Sequence, residues 1–166
     1  MEIFKRLFDT LNRAGVEYLV CGGIAVNLYG IERATADIDL AVRLDEENLG
    51  RFVTAVKELG LKPKMPVRLE ELTEPGKREE WRKEKGMVVF SLYDEEAPFF
   101  LLDVFIEAPF DFQNIYQRRT EIRLGDIAIP LAPIDALIEM KEKTGRPQDG
   151  ADVFYLKKIM EEWKDD

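Results

Sequence analysis

Two aspartates on one predicted strand are the residues of this sequence best suited to chemistry. Residues 36–40 alternate apolar and acidic side chains, so a strand here places Asp37 and Asp39 on one face. Carboxylates this close repel each other unless a cation lies between them or one of them holds a proton. A divalent metal with oxygen ligands, Mg²⁺ or Mn²⁺, is the usual solution. The alternative is two solvated carboxylates on the open face of a half-buried strand.

A third aspartate, Asp103, interrupts the apolar stretch 99–106. Burying a carboxylate in such a strand is unfavourable unless it is paired, hydrogen-bonded or bound to a cation. We therefore expect Asp103 to have a partner, and the earlier Asp37 and Asp39 make that interpretation stronger than an aspartate at an exposed strand edge. Glu107 has the same strand parity but is better explained as a solvated strand end.

A double glycine, Gly22-Gly23, follows the predicted strand 17–21 and precedes a short predicted helix that ends near Gly30. Glycines at such a point let the backbone approach a ligand closely, and the amides at the start of the next helix favour a phosphate. By itself the signal is weak, since a double glycine is more often only a turn.

The remaining periodicities predict the elements that must position these residues. Apolar residues at helical spacing indicate a first helix that ends before Gly15 and another that Asp45 caps and Gly60 ends. Further elements are predicted as strands at 87–93 and 99–106, a hairpin at 121–129, a helix at 134–143 and a last helix from about 153. The expected fold class is α/β (α+β), a mixed sheet with helices mainly on one face.

The chain length of 166 residues fits one domain, 1–166, with the C-terminal helices (about 133–164) packed on its core. The proline-rich, charged stretch 62–86 reads as a loop and then a polar helix, and we consider it a candidate flap over the site. We expect a cytoplasmic protein that is not membrane-bound, since there is neither a signal peptide nor an apolar run near the roughly 18 residues of a membrane span.

Composition excludes several kinds of site. The chain has no histidine and one cysteine, Cys21, so it has neither an internal disulfide nor one of the usual zinc ligand sets. Its formal net charge of −9 argues against broad non-specific binding of nucleic acid. Solvated helix faces with ion pairs are favoured over an RNA-binding surface for the two basic clusters, which consist of Lys77, Arg78, Arg82, Lys83 and Lys85, and of Arg118, Arg119 and Arg123.

Taken together, Gly22-Gly23, the run Arg33-x-Thr35-x-Asp37-x-Asp39 and a strand-borne Asp103 resemble the DNA polymerase beta-like nucleotidyltransferase superfamily. Within it, the chain looks like the minimal, AbiEii-like branch. The residues that carry this finer resemblance are Lys141 and the run Arg146-Pro-Gln-Asp149-x-x-Asp152. Two positions depart from the pattern: Gly23 stands where many members have serine, and Gln148 stands where the branch has lysine.

The resemblance implies a role for each matching residue. Asp37 and Asp39 would bind two Mg²⁺ (or Mn²⁺) ions, and Asp103 would bind one of them and help to deprotonate the attacking hydroxyl. The residues implied to bind the nucleotide are Gly22, Gly23, Arg33, Thr35 and Lys141. For Lys141 the residues alone leave a solvated helix end as an equal alternative.

The activity that this implies is metal-dependent transfer of a nucleoside monophosphate from an NTP such as ATP to an acceptor hydroxyl, with release of pyrophosphate. The acceptor stays open between a protein side chain, an RNA end and a small molecule such as an aminoglycoside. One alternative is a non-catalytic nucleotidyltransferase-like module or toxin–antitoxin component with a small partner protein. A weaker alternative is a metal-dependent nuclease, because carboxylate clusters serve there too.

Overall fold

One mixed sheet of seven strands forms the centre of the protein. The computed structural model describes residues 2–164. Its strands are β1 (Tyr18–Cys21), β2 (Asp37–Val42), β3 (Lys62–Pro63), β4 (Val89–Asp94), β5 (Ala97–Phe105), β6 (Thr120–Leu124) and β7 (Ile127–Leu131). They follow the order β3-β4-β5-β2-β1-β7-β6, in which β2–β5 and β1–β7 are parallel and the other pairs antiparallel. The predicted mixed sheet and α/β class are confirmed.

Helices connect these strands and cover the sheet. They are α1 (Glu2–Arg13), α2 (Gly22–Leu28), α3 (Glu46–Glu58), α4 (Pro75–Lys85), α5 (Phe112–Gln117), α6 (Ile134–Thr144) and α7 (Pro147–Lys164), with a 3₁₀ helix at Leu69–Thr73. The predicted ends of α3 are confirmed: the Asp45 side chain accepts a hydrogen bond from the Asn48 amide at 2.8 Å, and Gly60 has a φ of +76°. No helix among residues 2–164 is long and apolar enough to cross a bilayer.

The two faces of the sheet differ in character at β5. Phe100, Leu102 and Val104 are buried, whereas Asp103 and Phe105, which alternate with them, are only partly covered. The buried face packs under α1, where the Phe4 and Phe100 rings lie 6.2 Å apart. The hydrophobic core therefore lies on one face of β4, β5 and β2, and the opposite face is left to the carboxylates.

The prediction of a flap over the site at 62–86 is wrong for α4. The Trp81 ring stacks on Phe90 at 5.4 Å, and Phe90 belongs to the core face of β4, opposite to the carboxylates. Buried Arg78 ties the same helix to the 3₁₀ helix by donating a 2.7 Å hydrogen bond to the Leu72 carbonyl. The charge pattern predicted a polar helix, but two of its residues are buried in the core.

Most residues of the two basic clusters form the ion pairs expected of solvated helix faces, whereas Arg78 is buried. Lys83 lies 2.6 Å from Glu79, and Arg82 lies 2.9 Å from Glu107. In the second cluster Arg118 pairs with Asp135 and Arg119 with Glu121, each at 3.2 Å. These contacts favour solvated faces over an RNA-binding surface.

The last helix begins earlier than predicted. Its first residue is Pro147, not Val153, because proline is well tolerated in the first turn of a helix, where its missing amide hydrogen has no partner to lose. Leu156 is fully buried, as its helical spacing predicted. Trp163 was expected to supply packing, but 51% of its surface is exposed, and it contacts Tyr29 with only part of its ring.

Candidate active site

Strand pairing brings two of the three predicted carboxylates directly together. Strands β2 and β5 are parallel, and their register sets Asp39 opposite Asp103 and Asp37 opposite Leu101. Direct partners in neighbouring strands point to the same face and lie roughly 4.8 Å apart. Asp39 and Asp103 are therefore neighbours on the open face of the sheet, and Asp37 lies two residues earlier on the same face.

This crowding changes the acidity of the carboxylates. The pKa of Asp39 is raised from 3.8 to about 6, first by burial and then by the charges of Asp103 and Asp37, and Lys141 and Arg146 oppose the rise. Asp103, and not its neighbour along the strand, is thus the stronger electrostatic partner of Asp39. The geometry is that of a site which accepts a cation or holds a proton.

Asp103 has the partner that its position in an apolar strand required. Ser91 on β4 donates a 2.6 Å hydrogen bond to Asp103 Oδ1. Burial raises the pKa of Asp103, and the Ser91 hydrogen bond works against that rise. Ser91 was not among the predicted site residues, although the alternation of Phe90 and Leu92 around it marks it as a polar residue on the opposite face.

The side chains of these residues are oxygen donors, which suit a divalent metal such as Mg²⁺. Within residues 2–164 no group of three acidic or sulfur side chains is arranged to hold an ion by itself. Asp39 and Asp103 are nevertheless adjacent oxygen donors whose mutual repulsion a cation would relieve. Magnesium is commonly bound through one or two carboxylates together with substrate phosphates and not in an all-protein cage. The residues therefore fit a metal that arrives with a triphosphate.

The glycine turn lies against the Asp39 carboxylate. Gly22 starts α2 with a φ of +66°, and a Cβ atom placed on it would lie 2.0 Å from Asp39 Oδ2. A Cβ on Gly23 would lie 2.7 Å from Arg33 Nη1 and 2.8 Å from Thr35 Oγ1. Both glycines are thus needed by the packing of the site itself, in addition to any close approach of a ligand. Arg33 and Thr35 fill the space that a side chain at position 23 would occupy.

Replacing Gly22 with Ala is expected to push the Asp39 carboxylate out of its position. Gly125 offers a matched control, since its φ is +64° and, apart from its chain neighbours, no atom of residues 2–164 lies within 4 Å of its hypothetical Cβ. Both Gly22→Ala and Gly125→Ala should lose about 1–2 kcal/mol of unfolding free energy from the left-handed backbone. Only Gly22→Ala should also weaken metal-dependent NTP binding, measured by calorimetry. Equal binding by the two variants would contradict this role of Gly22.

A buried network of charges holds the C-terminal helices at the site. Asp152 Oδ2 lies 2.9 Å from Lys141 Nζ and 3.0 Å from Arg33 Nη1. Asp149 lies 3.8 Å from Lys141 Nζ and 2.9 Å from Arg146 Nε. Lys141, Asp149 and Asp152 are all buried, so Lys141 is not a solvated helix end.

The network leaves one buried donor of Arg33, its Nε, without a hydrogen-bond partner among the described residues. The same guanidinium contacts the position above Gly23, so its free donor belongs to the surroundings of the glycine turn. A buried unpaired donor is unfavourable.

A cleft of about 610 Å³ opens over this arrangement. Of the predicted site residues, four lie on its lining: Gly22, Asp39, Asp103 and Lys141. Asp37, Gly23, Arg33 and Thr35 lie beside the cleft on the side of the glycine turn and are not part of its described lining. Arg146 and Asp149 also line the cleft, and only the resemblance of the C-terminal run had marked them.

Comparison with known proteins found neither a matching family model nor a matching curated protein. Solved structures do match. The lincosamide antibiotic adenylyltransferase LnuA, crystallised with lincomycin bound, superposes with a TM-score of 0.62 at 20% identity, covering 96% of this chain and 97% of that chain. The chain has the nucleotidyltransferase fold.

Two further structures share this fold. ANT(2″)-Ia in complex with adenylyl-2″-tobramycin gives a TM-score of 0.58 at 15% identity, covering 93% of this chain and 85% of that chain. An antigenic nucleotidyltransferase-like protein from Paracoccidioides brasiliensis gives 0.53 at 17% identity, covering 92% and 71%. At these identities the similarity establishes the architecture, and the chemistry has to be argued from the residues.

Proposed function

We propose that this protein is a metal-dependent nucleotidyltransferase that moves a nucleoside monophosphate from an NTP to an acceptor hydroxyl and releases pyrophosphate. The observation that supports this proposal most directly is the adjacency of Asp39 and Asp103, with the Gly22 turn packed against Asp39. The fold shared with antibiotic nucleotidyltransferases supports the same reaction class.

Asp37, Asp39 and Asp103 are the residues proposed to hold Mg²⁺ or Mn²⁺, two ions in all, with phosphate oxygens as further ligands. Bound there, the ions would neutralise charge on the attacking and leaving oxygens of an in-line displacement. The close carboxylates suit this role because the pKa of Asp39 is raised to about 6 by burial and by its acidic neighbours, so a cation lowers the free energy of its ionised form.

The nucleotide is proposed to enter along the glycine turn. Gly22 and Gly23 allow the backbone to approach the triphosphate, and Arg33 and Thr35 take the place of the serine that many relatives have at position 23. Arg33 lies against the glycine turn, where its guanidinium charge would favour the triphosphate. Lys141, held by Asp152, would contact the nucleotide from the cleft.

In the proposed reaction the acceptor oxygen attacks the α-phosphorus. The new bond joins that oxygen to phosphorus, and the bond between the α-phosphorus and the oxygen bridging to the β-phosphate breaks as pyrophosphate leaves. The proton of the hydroxyl passes to Asp103, which lies beside Asp39 on the open face of the sheet. Ser91 orients the Asp103 carboxylate for this transfer by its hydrogen bond.

The finer assignment to the AbiEii-like branch remains a proposal. It is supported by the C-terminal run, since Lys141, Arg146, Asp149 and Asp152 form one connected set of ion pairs at the cleft. A cytoplasmic location, where NTP is available, fits the same proposal. A small partner protein is part of this proposal only if the chain is a toxin–antitoxin component.

One observation favours a second candidate, a non-catalytic binding module of the same fold. Lys141 and Arg33 are already paired with Asp152, and no three-ligand metal cluster is preformed within residues 2–164. Such a module would bind nucleotide or a partner without transfer.

Binding of NTP separates the two candidates. Calorimetry with each of the four NTPs, in the presence of Mg²⁺ or Mn²⁺ and then of EDTA, should detect metal-dependent binding to the native chain. Asp37→Asn should weaken that binding at least about tenfold, because one ion ligand loses its charge. Metal-dependent binding without pyrophosphate release for any acceptor would favour the module, and shortening of a labelled RNA would favour a nuclease.

A further inference from the structure

The cleft has an apolar wall that phosphoryl transfer itself does not require. Besides the charged residues near Asp39 and Asp103, its lining contains Val88, Val89, Phe105, Pro109, Leu137 and Met140. Val89 is the direct partner of Phe105 across strands β4 and β5, and Leu137 and Met140 face them from α6. The result is an apolar slot between the sheet edge and α6. Small-molecule sites are commonly lined in this way, with a few polar groups at one end.

The slot lies on the side from which an acceptor would attack. Across the sheet the order is β1, which ends at the Gly22 turn, then β2 with Asp39, then β5 with Asp103, then β4. An in-line displacement places the attacking oxygen opposite the leaving pyrophosphate. If the triphosphate occupies the glycine turn, the acceptor approaches from β5 and β4. Phe105 is two residues beyond Asp103 on the same face, so the slot begins where the acceptor hydroxyl must be.

The charges of the lining disfavour a polycationic acceptor. Its acidic residues within the described chain are Asp39, Asp103 and Asp149. The first two are assigned to the reaction, and Asp149 is already bound by Arg146 at 2.9 Å and by Lys141 at 3.8 Å. Lys143, which is also in the lining, is paired with Glu139 at 3.5 Å. An aminosugar with several ammonium groups would therefore find no uncommitted carboxylate in the described lining to pair with.

We propose that the acceptor is a small amphipathic molecule that carries a hydroxyl group, an apolar face and at most one cationic group, and that it binds in the slot formed by Val88, Val89, Phe105 and Met140. The inference rests on the proposed transferase function and specifies its acceptor. Polycationic aminosugars are poor acceptors because the slot offers them apolar surface and no uncommitted carboxylate.

The test is pyrophosphate release at saturating ATP and Mg²⁺ with defined acceptor probes. Lincomycin and phenyl glucoside represent the amphipathic class, and tobramycin represents the polycations. At least one amphipathic probe should be used with a kcat/KM at least tenfold above that of tobramycin. Equal or better use of tobramycin overturns the proposal, and so does the failure of both amphipathic probes with a protein that binds ATP. Failure to bind any NTP would instead overturn the proposed function.

A substitution on the wall tests the location of the acceptor. Val88 is 65% exposed, so Val88→Gln removes apolar surface from the slot without opening the core. Its control is Phe154→Gln, which changes a 55% exposed side chain on α7 away from the cleft lining. Val88→Gln should raise the KM of the amphipathic probe at least fivefold with little change in the Kd of ATP, and the control should change neither. A weaker ATP affinity with an unchanged acceptor KM would assign the slot to the nucleotide and overturn the proposal.

Discussion

Replacing Asp39 with Asn is expected to stabilise the metal-free protein and to abolish nucleotidyl transfer. The Asp39 carboxylate is partly buried beside Asp103 and Asp37, and its charged form is disfavoured there, which raises its pKa to about 6. Asparagine has nearly the same shape and no charge, so the repulsion disappears. Transfer should fall by at least about 10³-fold, because the charge that holds the metal and the developing transition state is lost.

The stabilisation should depend on pH in a defined direction. The pKa of Asp39 is about 6 in the folded protein against an ordinary value of 3.8, so between these values the folded state binds more protons than the unfolded state. The contribution of Asp39 to stability therefore decreases as pH rises through this window, and the full penalty is present above pH 6. At pH 7.5 the penalty is about 2–3 kcal/mol.

Urea unfolding in EDTA measures this difference. Asp39→Asn should be more stable than the native chain at pH 7.5, and the two should converge near pH 4. With Mg²⁺ and ATP the order should reverse, because ligand binding stabilises only the chain that binds it. A variant that is less stable at pH 7.5 by the same amount as at pH 4 would show that Asp39 has a structural role and would count against the site.

Local patterns predicted candidate site residues but not the partners that the structure gives them. Alternation placed Asp37 and Asp39 on one face, and the apolar run around Asp103 required it to have a partner. The pairing of Asp39 with Asp103 depends on β2 lying beside β5, although β3 and β4 come between them in the chain. Such a crossover depends on how the whole sheet packs, and the local spacing of apolar residues does not predict it.

The state of Lys141 was unpredictable for the same reason. The spacing of residues on α6 allowed Lys141 to be either a solvated helix end or a ligand contact. In the structure Lys141 is buried and binds Asp152. Asp152 also binds Arg33, which lies 119 positions away in the sequence. The start of α7 was missed because Pro147 and Gly150 resemble a linker, whereas proline fits the first turn and Gly150 lies within the helix. The environment of Lys141 therefore depends on ion pairs between residues far apart in the sequence, which composition and local spacing do not predict.

Asp152→Asn is expected to destabilise the protein by about 3 kcal/mol, because it leaves buried Lys141 and partly buried Arg33 without their shared carboxylate. Lys141 and Arg33 lie 2.9 and 3.0 Å from Asp152 Oδ2, and Lys141 and Asp152 are buried. Lys141 keeps only the longer contact to Asp149 at 3.8 Å. Urea unfolding at pH 7.5 measures the loss.

The control is Asp135→Asn, which breaks the solvent-exposed ion pair with Arg118 at 3.2 Å. Exposed pairs of this kind contribute roughly 0–1 kcal/mol, so the two variants should differ by about 2 kcal/mol or more. Because the same carboxylate joins α6 and α7 to the loop beside the glycine turn, Asp152→Asn should also weaken metal-dependent ATP binding, and Asp135→Asn should not. A loss of stability equal to that of the control would mean that water or relaxation solvates Lys141 and Arg33, and that the network does not hold the C-terminal helices at the site.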